Sequence, residues 1–124
     1  MPIRLDVTDA ASISAATHTV AAMVGERGLA GLVNNAGIGV AGPIELLPLA
    51  DWRRQFEVNV FGLIAVTQTF LPLIRTGRGR IINMGSIAGR AAMPFMAPYA
   101  ASKHALEAIT DALRLELQPW GIRV

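Results

Sequence analysis

Leu29-Ala30-Gly31-Leu32-Val33-Asn34-Asn35-Ala36-Gly37 passes from a short apolar run into a polar turn closed by glycine. Leu29 to Val33 is too short for a helix and rich in aliphatic residues, so it reads as a buried strand. Two other runs share this character. Ile3 to Val7 ends in Asp6-Val7-Thr8-Asp9, and Arg80 to Met84 ends in Gly85-Ser86. Segments of helical period separate them. Thr8 or Asp9 caps a helix over Ala10 to Val24, where Ile13, Ala16, Val20, Met23 and Val24 share a face and Gly25 and Gly28 end it. A second helix runs from Asp51, its N-cap, to Ile74. Its apolar face carries Trp52, Phe56, Val60, Leu63, Ile64 and Thr67, and Pro72 and Gly77 close it. A third covers Tyr99 to Gln118 and stops at Pro119 and Gly121, where Gly121 to Val124 opens a fourth strand. Strands alternating with long helices predict an α/β fold, a doubly wound parallel sheet with helices on both faces, in one domain over residues 1–124.

Composition narrows the function. Of 124 residues, 52% are hydrophobic and 16% charged, which fits a folded chain with a buried core and excludes disorder. A net charge of +2 gives no reason to expect a nucleic-acid partner. Arg75, Arg78 and Arg80, interleaved with Gly77 and Gly79, read as a solvated loop. With no cysteine there is no disulfide, thiolate metal site or cysteine nucleophile, a composition that suits a reducing cytoplasm. His18 and His104 have no partner spacing for a metal, so none is expected. The longest apolar stretch, Val60 to Ile74, is interrupted by Thr67, Gln68, Thr69 and Pro72. It falls short of the ~20 residues a membrane span requires, so no membrane partner is expected. Met1 to Asp6 lacks the apolar region of a signal peptide.

In a parallel sheet, ligands sit at the carboxyl ends of the strands. Asn34 to Gly37 and Gly85-Ser86 both fall there. Tyr99 and Lys103 are four apart on a helix and share a face. They are the chain's single tyrosine and single lysine. An ammonium one turn away favours the phenolate, which makes Tyr99 a candidate general acid/base; the alternative is an incidental amphipathic pair. Ser86 either donates to a substrate carbonyl or is a plain turn serine. Asn59, among Val58, Val60 and Phe61, is either satisfied by a neighbouring backbone or marks a kink at Asn59 to Gly62 that frees a carbonyl to hold a water. Gly37, Gly39 and Gly42 serve turns or let backbone approach a ligand.

Asn34-Asn35-Ala36-Gly37, Asn59, Ser86 and Tyr99-Ala100-Ala101-Ser102-Lys103, in this order and spacing, resemble the short-chain dehydrogenase/reductase family. The resemblance covers nearly the whole chain and implies a Rossmann-like fold binding NAD or NADP. It implies that Tyr99 exchanges a proton with the substrate oxygen and that Lys103 lowers the tyrosine pKa and binds the nicotinamide ribose. Ser86 then orients the carbonyl or alcohol, and Asn59 holds a water in a proton relay. Asp6 and Val7 meet the adenine, while Asn34, Asn35, Ala36 and Gly37 line the adenosine side and brace the sheet. The implied substrate is a small-molecule alcohol or ketone. The loop Ala91 to Pro98, with Met93, Phe95 and Met96, either lines a pocket for a hydrophobic one or simply packs. Ser102 to Leu117 is also similar to the retinol and hydroxysteroid dehydrogenase branch. Family members pair into homodimers or homotetramers through helices matching 51–74 and 99–118.

The departures carry expectations of their own. No glycine-rich phosphate loop occurs in these residues, and the family pattern places it upstream of Ile3, as it places a substrate loop downstream of Val124. The implied strand order, 3-2-1-4-5-6-7, leaves Ile3 to Val7 without a neighbour and gives the strand at Leu29 a bare edge. A chain of this extent is expected to be poorly stable and weakly active alone. The alternative to the oxidoreductase is an inactive, self-associating helical module.

Overall fold

The computed structural model describes all residues from Met1 to Val124. Helix α1 spans Ala10–Val24, with Asp9 as N-cap, its carboxylate accepting from the Ala11 N–H at 2.9 Å. Strand β1 spans Gly31–Asn34 and strand β2 Arg80–Asn83. They pair in parallel, Leu32 opposite Ile81 and Asn34 opposite Asn83. The Ile81 N–H donates to the Arg123 carbonyl at 2.8 Å, and a parallel bridge joins Arg80 to Arg123, so the predicted fourth strand begins here. Helix α3 spans Ala97–Glu116, starting before Tyr99 because Pro98 occupies its first turn, where a missing N–H costs nothing.

Between the strands runs α2, one continuous helix from Leu49 to Gly77. Three sequence expectations are corrected here. The helix begins at Leu49 after Pro48, so Asp51 sits in its first turn and is not the N-cap. Pro72 does not end it; the proline lies on the exposed side and the helix continues to Gly77, with Arg78 in the left-handed conformation beyond. Of its expected apolar face, Val60, Leu63 and Thr67 are buried, but Trp52, Phe56 and Ile64 are only half-buried, and the stripe is completed by Gln55, Asn59, Val66, Phe70 and Ile74. Glu57–Gly62 is a π-helix, a widened turn that shifts which side chains face inward. At 29 residues, α2 is also long and apolar enough to cross a membrane, so the length argument against a span does not hold. Its buried stripe packs instead on α1 and β1.

Ile3 to Val7 forms no strand. Without a strand beside it to complete a ladder, it stays unpaired, and Ile3, Leu5 and Val7 contribute apolar contacts instead. They pack against a core of Ile13 and Ala16 from α1, Val66, Phe70 and Ile74 from α2, Ile81 from β2, and Leu117 and Ile122. Alternation decides which sheet face is buried. Leu32 and Ile81 point to the helices, whereas Val33 and Ile82, on the opposite face, are 57% and 46% exposed. All three helices pack side by side, α1 on α2 and α2 beside α3, so within this chain they cover one face of the sheet and not both.

Gly62 lets α2 pass close to Val7: a Cβ there would lie 2.8 Å from Val7 Cγ2 and 3.0 Å from the Val7 carbonyl oxygen. Gly62→Ala is expected to lose about 1 kcal/mol, a clash of about 2 kcal/mol outweighing a helix-propensity gain of about 1 kcal/mol. A lower urea midpoint at unchanged slope checks it; an unchanged or higher midpoint would mean that the Val7 segment does not sit where the structure has it.

Candidate active site

The site is assembled at the carboxyl end of the sheet. Beyond β1 the chain turns through Asn35 to Val40, and α2 holds this loop with two side chains one turn apart. Gln55, fully buried, accepts from the Val40 N–H at 2.7 Å through Oε1 and donates to the Ile38 carbonyl at 2.8 Å through Nε2. Asn59, also buried, accepts from the Ile38 N–H at 2.9 Å and donates to the Ile38 carbonyl at 3.0 Å. Asn59 Nδ2 reaches the buried Ser102 hydroxyl at 3.2 Å, which itself donates to the Tyr99 carbonyl at 2.7 Å. Gly39 comes up against the tyrosine ring, its absent Cβ pointing within 3.9 Å of Tyr99 Cδ2. Helix α2, the loop and the first turn of α3 are thus one unit around Tyr99. Every buried side-chain polar atom has a hydrogen-bond partner, as burial requires.

Lys103 lies one turn after Tyr99, with its Nζ 5.9 Å from the tyrosine ring centre. Its ammonium donates to the Met84 carbonyl at 2.6 Å, two residues before Ser86, which fixes α3 to the end of β2. Ser86 begins a 3-10 turn, Ile87–Gly89, and its Oγ accepts from the Ala88 N–H at 3.2 Å. That turn packs on α3. Ser86 and the helix that carries Tyr99 and Lys103 therefore lie at the same end of the sheet.

The remaining predicted residues divide. Val7, Asn34, Asn35 and Ala36 line one cavity of about 190 Å³. Val7 turns its side chain and carbonyl toward Gly62. Asn34 points inward and braces the sheet, its Nδ2 donating to Asn83 Oδ1 at 2.9 Å and Thr67 Oγ1 at 3.0 Å, and Asn83 passes the network to Thr110. Gly37 lies against Asn59. Asp6 is exposed and stands apart from Tyr99's group. The Thr8 hydroxyl, at 2.7 Å, and the Thr8 N–H, at 2.9 Å, hold its carboxyl below the usual carboxylate range, with Arg4 adding a smaller effect. The exposed Asp6 carboxylate and the Lys103 ammonium at the β2 end are an acceptor and a donor of the kind that hydrogen-bond the hydroxyls of a dinucleotide, so these two residues fit NAD or NADP. No cluster of histidine, cysteine and carboxylates that would hold a metal occurs.

The match to known proteins extends over the whole chain. A family model for short chain dehydrogenase matches residues 1–124. The chain belongs to the short-chain dehydrogenase family. It is 50% identical over 121 residues to 17-beta-hydroxysteroid dehydrogenase type 6 of Bos taurus, covering 97% of this chain and 38% of that protein. The crystal structure of NAD+-bound xylitol dehydrogenase superposes with a TM-score of 0.89 at 34% identity, over 97% of this chain and 46% of that one. A gluconate 5-dehydrogenase from Burkholderia cenocepacia J2315, in complex with NADP and tartrate, gives 0.86 at 34% identity, over 95% and 46%. This short-chain dehydrogenase chain thus spans less than half the length of these relatives.

Reading the sequence missed Gln55. The signal available was its spacing, four residues before Asn59 and so on the same helix face. Gln55→Leu leaves the Val40 N–H buried without a partner and is expected to cost about 1 to 3 kcal/mol. Accelerated hydrogen exchange at the Val40 amide checks it; unchanged exchange there would show that the loop is held by something else. Asp6 gives a second expectation. Its folded pKa is lowered, so its contribution to stability is present above the ordinary carboxylate pKa of about 4 and disappears as pH falls through the lower folded value. Asp6→Asn should flatten the acid limb of the stability profile, followed by circular dichroism, and leave neutral pH dependence alone.

Proposed function

We propose that this chain carries the proton-transfer machinery of an NAD- or NADP-dependent oxidoreductase that acts on an alcohol/carbonyl pair. One observation carries the reading: Lys103 ties α3, which bears Tyr99, to the strand end that bears Ser86. When bound, the nicotinamide supplies or accepts the hydride. Tyr99 gives its hydroxyl proton to the substrate oxygen in reduction and takes it back in oxidation. Ser86 Oγ donates a hydrogen bond to that same oxygen. Lys103 places a positive charge beside the phenol and presents donors to the nicotinamide ribose. The Asn59 side chain is spent on Ile38 and Ser102, so its relay role falls to the backbone of the π turn, where it holds a water. Asp6 and Val7 meet the adenine, with Asn34 to Gly37 on the adenosine side. The relatives solved with NAD+ and with NADP support both cofactors.

The substrate is a small-molecule alcohol or ketone. The chain acts as a homodimer or homotetramer through α2 and α3, without nucleic acid or membrane, in the cytoplasm; the absence of cysteine supports that compartment. Support for the pairing comes from an open groove of about 640 Å³ between the two helices, lined by Leu63, Leu71, Ile109, Leu113 and Trp120. That groove and the exposed Val33 and Ile82 also favour the second reading, a self-associating module without turnover.

Nicotinamide fluorescence of NADH and NADPH, titrated with the folded chain, decides between them. Saturable binding is expected. Tyr99→Phe should keep it while lowering turnover of an alcohol panel by about 100-fold or more. A folded chain that binds neither cofactor yet self-associates would reject the oxidoreductase reading for these residues.

A further inference from the structure

Three polar side chains on one face of α3 reach the end of β2 and the turn beyond it. Lys103 Nζ donates to the Met84 carbonyl at 2.6 Å, and the Thr110 hydroxyl accepts from Asn83 Nδ2 at 2.9 Å. Glu107 lies between them, about one turn from each. Lys103 stands beside the phenol, and Thr110 ends the polar chain that braces the strands. Glu107 carries no step of the proton transfer.

Its side chain touches the backbone on both sides of Ser86. Before the serine, Gly85 comes so close that a Cβ there would lie 3.1 Å from Glu107 Oε1. After it, a Cβ on Gly89 would lie 3.1 Å from Glu107 Cγ and 3.0 Å from the Lys103 carbonyl oxygen. Glycine at both positions lets the backbone close on the glutamate. The next residue, Arg90, donates through Nη2 to Glu107 Oε2 at 3.0 Å.

Glycines also leave the segment little stiffness of its own. Within the turn, the Ser86 carbonyl accepts from the Gly89 N–H at 2.9 Å, and Ser86 Oγ accepts from the Ala88 N–H at 3.2 Å. That second bond uses a lone pair and leaves the hydroxyl proton to be donated. The direction of the hydroxyl is therefore the direction of the turn. Lys103 holds the strand end, and Glu107 holds the turn itself. The Arg90 side chain is 79% exposed, and an exposed ion pair adds little to global stability. What this one supplies is local direction.

We propose that Glu107 is a positioning residue for Ser86: through Gly85, Gly89 and Arg90 it seats the turn on α3 and so sets where the Ser86 hydroxyl points relative to that helix. It acts through Ser86 and touches no reacting atom. The consequence for turnover rests on the alcohol/carbonyl reading above.

The intact chain is followed by amide hydrogen exchange, by circular dichroism, by titration with NADH and NADPH, and by oxidation of cyclohexanol with NAD or NADP. Glu107→Ala should speed exchange at the Gly89 amide about tenfold, leaving the Val40 amide and the melting temperature unchanged. It should lower kcat about tenfold without weakening cofactor binding. Glu107→Gln keeps the size and an oxygen that accepts from Arg90, and should restore both. Arg90→Ala should reproduce part of the loss and add nothing on top of Glu107→Ala, because both remove one contact. Unchanged exchange at Gly89 overturns the proposal, and so does a Glu107→Gln variant as impaired as Glu107→Ala. A melting temperature or cofactor affinity that falls together with kcat shows general damage and overturns it as well. Cyclohexanol oxidation that ignores Glu107→Ala discards Glu107 alone. A wild-type chain that neither binds cofactor nor oxidises cyclohexanol rejects the oxidoreductase, and the exchange pattern then still decides whether Glu107 seats the turn.

Discussion

The site depends on two buried amides. Gln55 and Asn59 stand one turn apart on α2, and between them they take up the N–H and carbonyl of Ile38 and the N–H of Val40. Backbone groups lifted off a sheet end and buried need partners, and an unpaired one costs about 1 to 3 kcal/mol. A side-chain amide is the group that can meet a donor and an acceptor together. Because Asn59 also reaches Ser102, and Ser102 the Tyr99 carbonyl, the same pair that fixes the loop fixes the start of α3. The geometry around the tyrosine is therefore set by polar bonds in a dry interior, where they are stiff.

The π turn at Glu57–Gly62 makes that arrangement reachable. A regular helix through these residues would turn the later part of the buried stripe away from the sheet. Widening by one residue keeps Gln55 and Asn59 facing the loop while Val66, Phe70 and Ile74 still face the core. Gly62 completes the fit by letting the Val7 backbone close on the helix. Polar positioning and hydrophobic packing then share one helix without competing for its faces.

Packing is uneven across the sheet. One face is covered by three helices; the other presents Val33 and Ile82. Two paired strands and a bridge at Arg123 give a narrow platform, and the first apolar segment adds contacts but no ladder. The order of the active end owes more to the α2–loop–α3 network than to the sheet. The second polar chain, from Thr67 through Asn34 and Asn83 to Thr110, supports this by crossing both strands between α2 and α3.

By itself the sequence determined the alternation of strands and helices and the parallel sheet, and it singled out the candidate residues for the chemistry. Periodicity, caps and spacing are local properties, and Tyr99 with Lys103, Ser86, Asn59 and Asn34 to Gly37 are all legible from neighbours in the chain. Only the tertiary structure decided the rest. Whether Pro72 ends a helix depends on which side of it faces solvent. Whether Ile3 to Val7 is a strand depends on a partner strand, because a ladder needs two. That Gln55 matters depends on a loop fifteen residues earlier in the chain folding over it. Each of these is set by a contact between distant residues, and local pattern carries no record of the partner.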